Sequence, residues 1–274
     1  MDRITRWADW EKACEAVPET AAEAALIAAC RAGAPCRRGD TRPAAPTEAT
    51  RIRAPLLAYL IRGGCDGCPS TERGVTVFGA YITGALDLTG ATAQGRVVLG
   101  NCTFDTAITA QDANLAALGL NGSTLPGLDL QRAQVTGSVF LHGGFHATGG
   151  VALSGATIGG QLACDGGRFE NAGGDALDVQ NAQVTGPVFL RDGFQATGRV
   201  TLAGATIGGQ LDCTGGRFEN AGGLALHLQR VLVTEGFLFR GVTGTAGIVD
   251  LNSAHVGDLV DDLASWPEGE NRLI

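Results

Sequence analysis

From Val75 onward, apolar residues come in pairs spaced by two, and the pairs are set apart by glycine-rich turns. Ile82, Leu86, Leu88, Ala93, Val97, Leu99 and Phe104 follow one another at steps of 4, 2, 5, 4, 2 and 5. A helix would repeat 3 and 4, and one long strand would repeat 2, so neither fits. Short strands joined by corners do fit: two residues spaced by two point the same way, and a corner separates them from the next pair. The rhythm continues through Ile108, Ala110, Leu115, Leu118, Leu120 and Leu125 with one residue lost, giving a circuit of about 22 residues, the separation of Ile82 and Phe104.

The octapeptide GATIGGQL begins at Gly155 and again at Gly204, 49 residues later. The position of Ile158 recurs at Val135, Val184, Ile207, Val233 and Val256, so successive intervals are 23, 26, 23, 26 and 23. The repeat of 49 is therefore a duplicated pair of unequal circuits. Ala156 and Ala205 stand two residues before the inward isoleucines, where a narrow coil has no room for a larger side chain. The extra length is assigned to a single corner. Phe104 is followed by its next inward residue after four positions, Phe145 and Phe194 after six, and Phe169 and Phe218 after eight. Alternate circuits carry the loop ENAGG at 170–174 and 219–223; at a stacking distance of about 4.8 Å the two loops stand roughly 10 Å apart on one side.

Residues 1–74 have another character. Ile4, Trp7 and Cys14 can share a face of a first helix, and Thr20 with Glu23 forms a capping box ahead of an alanine-rich run. After a loop containing Pro35, Pro43 and Pro46, the residues Ile52, Leu56, Leu57, Leu60 and Ile61 predict a short amphipathic helix ended by Gly63 and Gly64. The division expected is a helical N-terminal cap at 1–74, a repeat domain at 75–260 and a C-terminal tail or cap at 261–274. Such a cap closes the end of a stack that would otherwise leave strand edges and apolar side chains open.

A small residue, a variable one and a large apolar one, as in Ala80-Tyr-Ile82, Ala133-Gln-Val135, Ala156-Thr-Ile158, Ala182-Gln-Val184 and Ala205-Thr-Ile207, resembles the pentapeptide-repeat proteins over about 180 of the 274 residues. The match is to a degenerate branch, because the 4, 2, 5 spacing and the loops break a strict period of five. The resemblance implies an all-β solenoid, a right-handed quadrilateral parallel β-helix of seven to eight coils. GATIGGQLDC also looks like a group of bacterial proteins labelled membrane-associated oxidoreductases, but the chain has no glycine-rich nucleotide loop between a strand and a helix. A pectate-lyase-type β-helix has coils of similar length and is the alternative architecture.

The net charge is -8, and residues 75–260 hold eight arginines against fourteen acids. That balance argues against direct nucleic-acid binding and allows an imitation of nucleic acid. The start lacks the apolar core of a signal peptide, and no run reaches the roughly 18 to 20 apolar residues of a membrane span, so a cytoplasmic chain is expected, with peripheral membrane association left open. The eight cysteines are then thiols or metal ligands rather than disulfides.

Cys65 and Cys68 form a CxxC, and Cys30 with Cys36 could complete a structural zinc site in the cap; a redox pair and uninvolved thiols are the other readings. No other cofactor is expected. Cys102, Cys164 and Cys213 fall at inward or corner positions and read as small buried hydrophobes. Asp165, Glu170, Asp212 and Glu219 gather near the long corner, where a charged solvated face and paired glycosidase carboxylates are both conceivable. Arg191 and Arg240 form a ladder at a separation of 49, as do Arg168 and Arg217. Trp7, Trp10 and Trp266 lie outside the repeat and are expected to seal its ends, with a partner-binding helix as the alternative for the first two.

No catalytic residues are assigned. The function expected is a non-enzymatic interaction scaffold with a protein partner, using Trp7, Trp10, Glu170, Asn171, Glu219, Asn220, Arg191 and Arg240 as surface. The resemblance adds a second reading, modulation of DNA gyrase by mimicry of a duplex, and a third is a carbohydrate-active or redox enzyme.

Overall fold

A computed structural model describes residues 4–65, 68–69, 73–93, 95–244 and 246–268, with side chains at 65–72 outside the description. It is a parallel β-solenoid of about eight circuits carrying three short helices. Each circuit contributes to four stacked columns of short strands. In circuit two these are Val97–Gly100, Thr103–Phe104, Ile108–Thr109 and Asn114–Leu115. Neighbours pair in parallel, so Val135, Ile158, Val184, Ile207, Val233 and Val256 are register partners along column four. The alanines two residues earlier, Ala133, Ala156, Ala182 and Ala205, are buried, as the narrow coil requires. Ala80 is the exception to that grouping: its Ile82 belongs to column two, beside Phe104.

The cap does more than cover the first circuit. The cap holds helices α1 (Trp7–Ala16), α2 (Ala21–Ala32) and α3 (Ala54–Ile61), and two short strands between α2 and α3 extend the stack. Cys36–Arg37 pairs with Val77 and Phe78 in column one, and Arg51–Arg53 pairs with Tyr81, Ile82 and Thr83 in column two. Ile52 is thus a strand residue, and α3 starts after it at Ala54 with Pro55 in its first turn. α3 is buried almost all round rather than amphipathic: it packs on Leu86–Asp87 at the open end of column three and on the cap strand Arg51–Arg53. The proline-containing segment between the two strands is a strap along the corner of columns one and two. Arg42 donates to the carbonyls of Gly122 and Gly144 at 3.0 and 3.1 Å, Asn101 donates to the Asp40 carbonyl at 2.8 Å, and the Thr103 hydroxyl donates to the Pro43 carbonyl.

The capping box forms: the Thr20 hydroxyl accepts from the Glu23 N–H at 3.1 Å, and Glu23 accepts from the Thr20 N–H at 3.0 Å. Glu23 also binds Arg53 through both carboxylate oxygens, at 2.7 and 2.8 Å, although its side chain is fully buried. Arg53 in turn donates to the Val17 carbonyl at 3.0 Å and lies 4.2 Å from the Trp10 ring centroid. One ion pair therefore ties α1, α2 and the second cap strand together.

Inside the rod, Phe145, Phe169, Phe194 and Phe218 stack with ring centroids 5.2 to 5.4 Å apart. Their backbones do not share a column position. Phe169 and Phe218 are in register with Ala147 and Ala196, so Phe145 and Phe194 reach the same interior space from two residues upstream. The partner position is small in each case: Gly167 precedes Phe169 by two and Gly216 precedes Phe218 by two, and a Cβ on Gly167 would meet the Phe169 ring at 2.8 Å. This corrects the assignment of all extra length to one corner. Counted from Ala147 and Ala196, the steps to Val151 and Val200 are four, so circuits four and six have an ordinary second corner and one added residue at the first. Only circuits five and seven carry the long second corner.

Candidate functional site

The long second corner builds the most distinctive surface of the solenoid. The sequence ENAGG lies within extended strands, Arg168–Asp178 and Arg217–His227, rather than in detached loops. Gln195–Thr201 runs between them, and Ala246–Asp250 follows the second, all in parallel. The inserted residues appear as register shifts between Glu170 and Asp175 and between Glu219 and Leu224. Together they form a ledge along the corner of columns two and three.

Each ledge insertion is held shut by its own asparagine. Asn171 donates to the Asp175 carbonyl at 2.9 Å, and Asn220 donates to the Leu224 carbonyl at 2.7 Å. The glycines that follow have distinct duties. Gly173 and Gly222 adopt φ of 80 and 78°, which side chains with a Cβ disfavour, while a Cβ on Gly174 would strike the Asn171 amide at 2.6 Å. The outermost residues, Ala172 with Gly173 and Ala221 with Gly222, are exposed and small.

At its base the ledge is fastened by charge. Glu170 accepts from His146 at 2.9 Å and from Arg168 at 2.6 Å, and the His146 hydrogen bond with that of Arg168 holds its carboxyl below the ordinary range. Glu219 is bound by Arg217 in the same way. Asp175 forms a two-pronged pair with Arg199 from the intervening strand.

A groove of about 540 Å³ opens at the foot of this ledge. Its position follows from the corner lengths. Phe104 to Ile108, Leu125 to Leu128 and Ala147 to Val151 are steps of four, three and four, and the step from Phe169 to Leu177 is eight. Three short corners followed by a long one leave a re-entrant angle, lined by Pro126, Gly127, Asp129, Ala152, Asp175 and Asp178 among others. Asp129 and Asp178 face outward in column three, with Ala152 in register between them. Asp129 accepts from the Gln131 N–H at 3.0 Å and the Gln111 amide at 2.5 Å, and Asp178 accepts from the Gln180 N–H at 2.9 Å. Asp87 and Asp250 make the same turn contact to the N–H two residues on, at 2.9 and 2.8 Å. The aspartates of column three thus shape the corner that leads to column four.

The residues singled out from sequence are dispersed. Glu170, Asn171, Glu219 and Asn220 belong to the ledge. Arg191 lies at the first corner, bridging Asp165 at 2.8 Å and Asp212 at 2.9 Å and covering the Phe189 ring at 4.1 Å. Burial raises the Asp212 carboxyl, but hydrogen bonds from Thr214 and Arg191 outweigh it and leave the group below its usual range. Arg240, two circuits on, is exposed. The four carboxylates considered for glycoside chemistry are therefore split, Asp165 and Asp212 at the first corner and Glu170 and Glu219 at the second, each paired with a cation. Trp10 is 1% exposed and packs in the cap, so it offers no open surface, while Trp7 is half-buried under Arg31. Trp266 stacks on Phe239 with centroids 4.6 Å apart, sealing the other end of the phenylalanine stack.

Of the zinc candidates, Cys30 and Cys36 are buried in α2 and the first cap strand. The side chains of Cys65 and Cys68 lie outside the described residues. Among the described residues no group of three or more His, Cys, Asp or Glu side chains is arranged to hold a metal. Burial pushes the Cys102 thiol up to about 12 and Cys164 and Cys213 well above the ordinary value, which suits inert core side chains. Among the described residues no helix is long and apolar enough to cross a membrane.

No protein family, curated protein or solved structure matches the chain.

Proposed function

We propose that this chain is an interaction scaffold of the pentapeptide-repeat type, which presents the ledge and the adjoining groove to a protein partner. The observation that carries the reading is the ledge itself: Asn171, Asn220, Glu170 and Glu219 use their polar groups to fix its shape, and only small residues stand at the rim. A stiff relief of this kind can be matched by a partner without ordering cost on the scaffold side. The duplex-mimic reading gains little from column three, where Ala152 and Thr201 interrupt the row of outward aspartates.

The test uses a variant lacking residues 171–174 and 220–223, which shortens both long corners to the four-residue step seen in circuit six. Partner capture from extract of the source cells by the intact chain, and its loss with this variant at unchanged thermal stability, is the expected result. Equal capture by both would remove the ledge from the function. Capture of gyrase subunits by both would turn the account toward mimicry by the rod.

A further inference from the structure

We propose that the groove at the foot of the ledge takes an extended peptide segment of the partner through a lysine or arginine side chain. This rests on the scaffold reading and narrows it to one surface and one ligand chemistry.

Charge is the first argument. The described residues lining the groove include Asp129, Asp175 and Asp178 and no lysine or arginine. Asp175 is paired with Arg199, and among the described residues Asp129 and Asp178 face the groove without forming an ion pair of their own. Asp178 has one oxygen tied to the Gln180 N–H, and Asp129 has one oxygen on the Gln131 N–H and the other on the Gln111 amide. The side chains are thus fixed before any ligand arrives, and a cation binding there meets preorganised acceptors through their remaining lone pairs.

Spacing is the second. The two aspartates stand two rungs apart, about 10 Å, with the Ala152 methyl between them. One metal ion cannot bridge that distance, since carboxylate oxygens bind cations at about 2 to 2.6 Å. A long side chain can lie across it, with its methylenes on Ala152 and its charged head beside either carboxylate.

Relief is the third. Beyond Ala152 the groove continues over Pro126, Gly127 and Gly150, where the short corners present backbone and little side chain. Gly150 abuts the ledge so closely that a Cβ would meet the Asp175 carbonyl at 3.1 Å. This leaves a track along the corner that is open to solvent rather than an enclosed cavity.

The experiment measures binding of the full chain to four pools of extended decapeptides with arginine, lysine, glutamate or alanine at the central position. Comparison variants are the Asp129→Asn, Asp178→Asn double substitution, in which the amide oxygen keeps each turn contact while the charge is removed, and Ala152→Arg, which fills the groove from within. The arginine and lysine pools are expected to bind the parent chain, to bind about tenfold or more weakly to both variants, and to weaken with added salt. The alanine and glutamate pools are expected not to bind. A basic preference that survives in both variants, or pools that bind without regard to charge, would overturn the groove assignment, as would tighter binding of spermidine or of a neutral oligosaccharide than of the basic peptides. If the ledge-dependent partner is still captured by both variants, the scaffold reading stands and this inference falls. If no partner is captured by the parent chain, the scaffold reading falls first.

Discussion

At the scale of single residues, the interior is specified by pairs rather than by a repeated letter. Gly167 with Phe169, and Phe145 with Ala147, deliver a ring to the same stack by exchanging which of two positions is large. Phe169→Ala is expected to cost about 3 to 5 kcal/mol by leaving a cavity between two rings. Gly167→Ala is expected to cost about 1 to 3 kcal/mol by overpacking against that ring and the Leu141 carbonyl. Denaturant unfolding of both variants checks the pair. This exchange is also why the spacing of large apolar residues does not give the corner lengths: it follows the rings, whereas the strand register follows the backbone. The buried Glu23–Arg53 pair escaped for a different reason. The capping box accounts for Glu23 locally, and nothing in the pattern tells that its carboxylate also meets Arg53, 30 residues away. Glu23→Ala is expected to lower stability by about 3 to 5 kcal/mol, because Arg53 would remain buried without its counter-charge.

At the scale of elements, the ledge is the part whose order depends on a few side chains. Asn171→Ala removes the bond that closes the first insertion, so faster amide exchange is expected at 170–176 with the columns beneath unchanged. The Glu170 anchor gives a pH signature. Its carboxyl is depressed in the folded chain by His146 and Arg168, so its contribution is complete above the ordinary value of 4.5 and is lost as pH falls below it. Protection of the ledge is expected to decline on acidification through that range in the parent chain and to be flatter in Glu170→Gln, as read by exchange at fixed pH steps. The strands and the order of corners were legible because inward residues spaced by two leave a 4, 2, 5 signature, although the lengths of the corners were not. The cap strands at Cys36–Arg37 and Arg51–Arg53 were not, since two or three residues carry no period of their own. The groove was legible only in part: the long corners mark one wall, but the short corners opposite become informative only once the circuits are stacked.

At the scale of the whole molecule, the cap, the phenylalanine stack and Trp266 form one continuous core from end to end. That continuity gives the ledge at the second corner a rigid base. The most direct test of the central claim is site-specific photo-crosslinking from the rim and from a distant column within the same captured complex. A photoreactive residue at Ala172 or Ala221 is expected to crosslink the partner, and one at Thr157 or Thr206 in column four is expected not to. Crosslinks from column four with none from the rim would contradict the account.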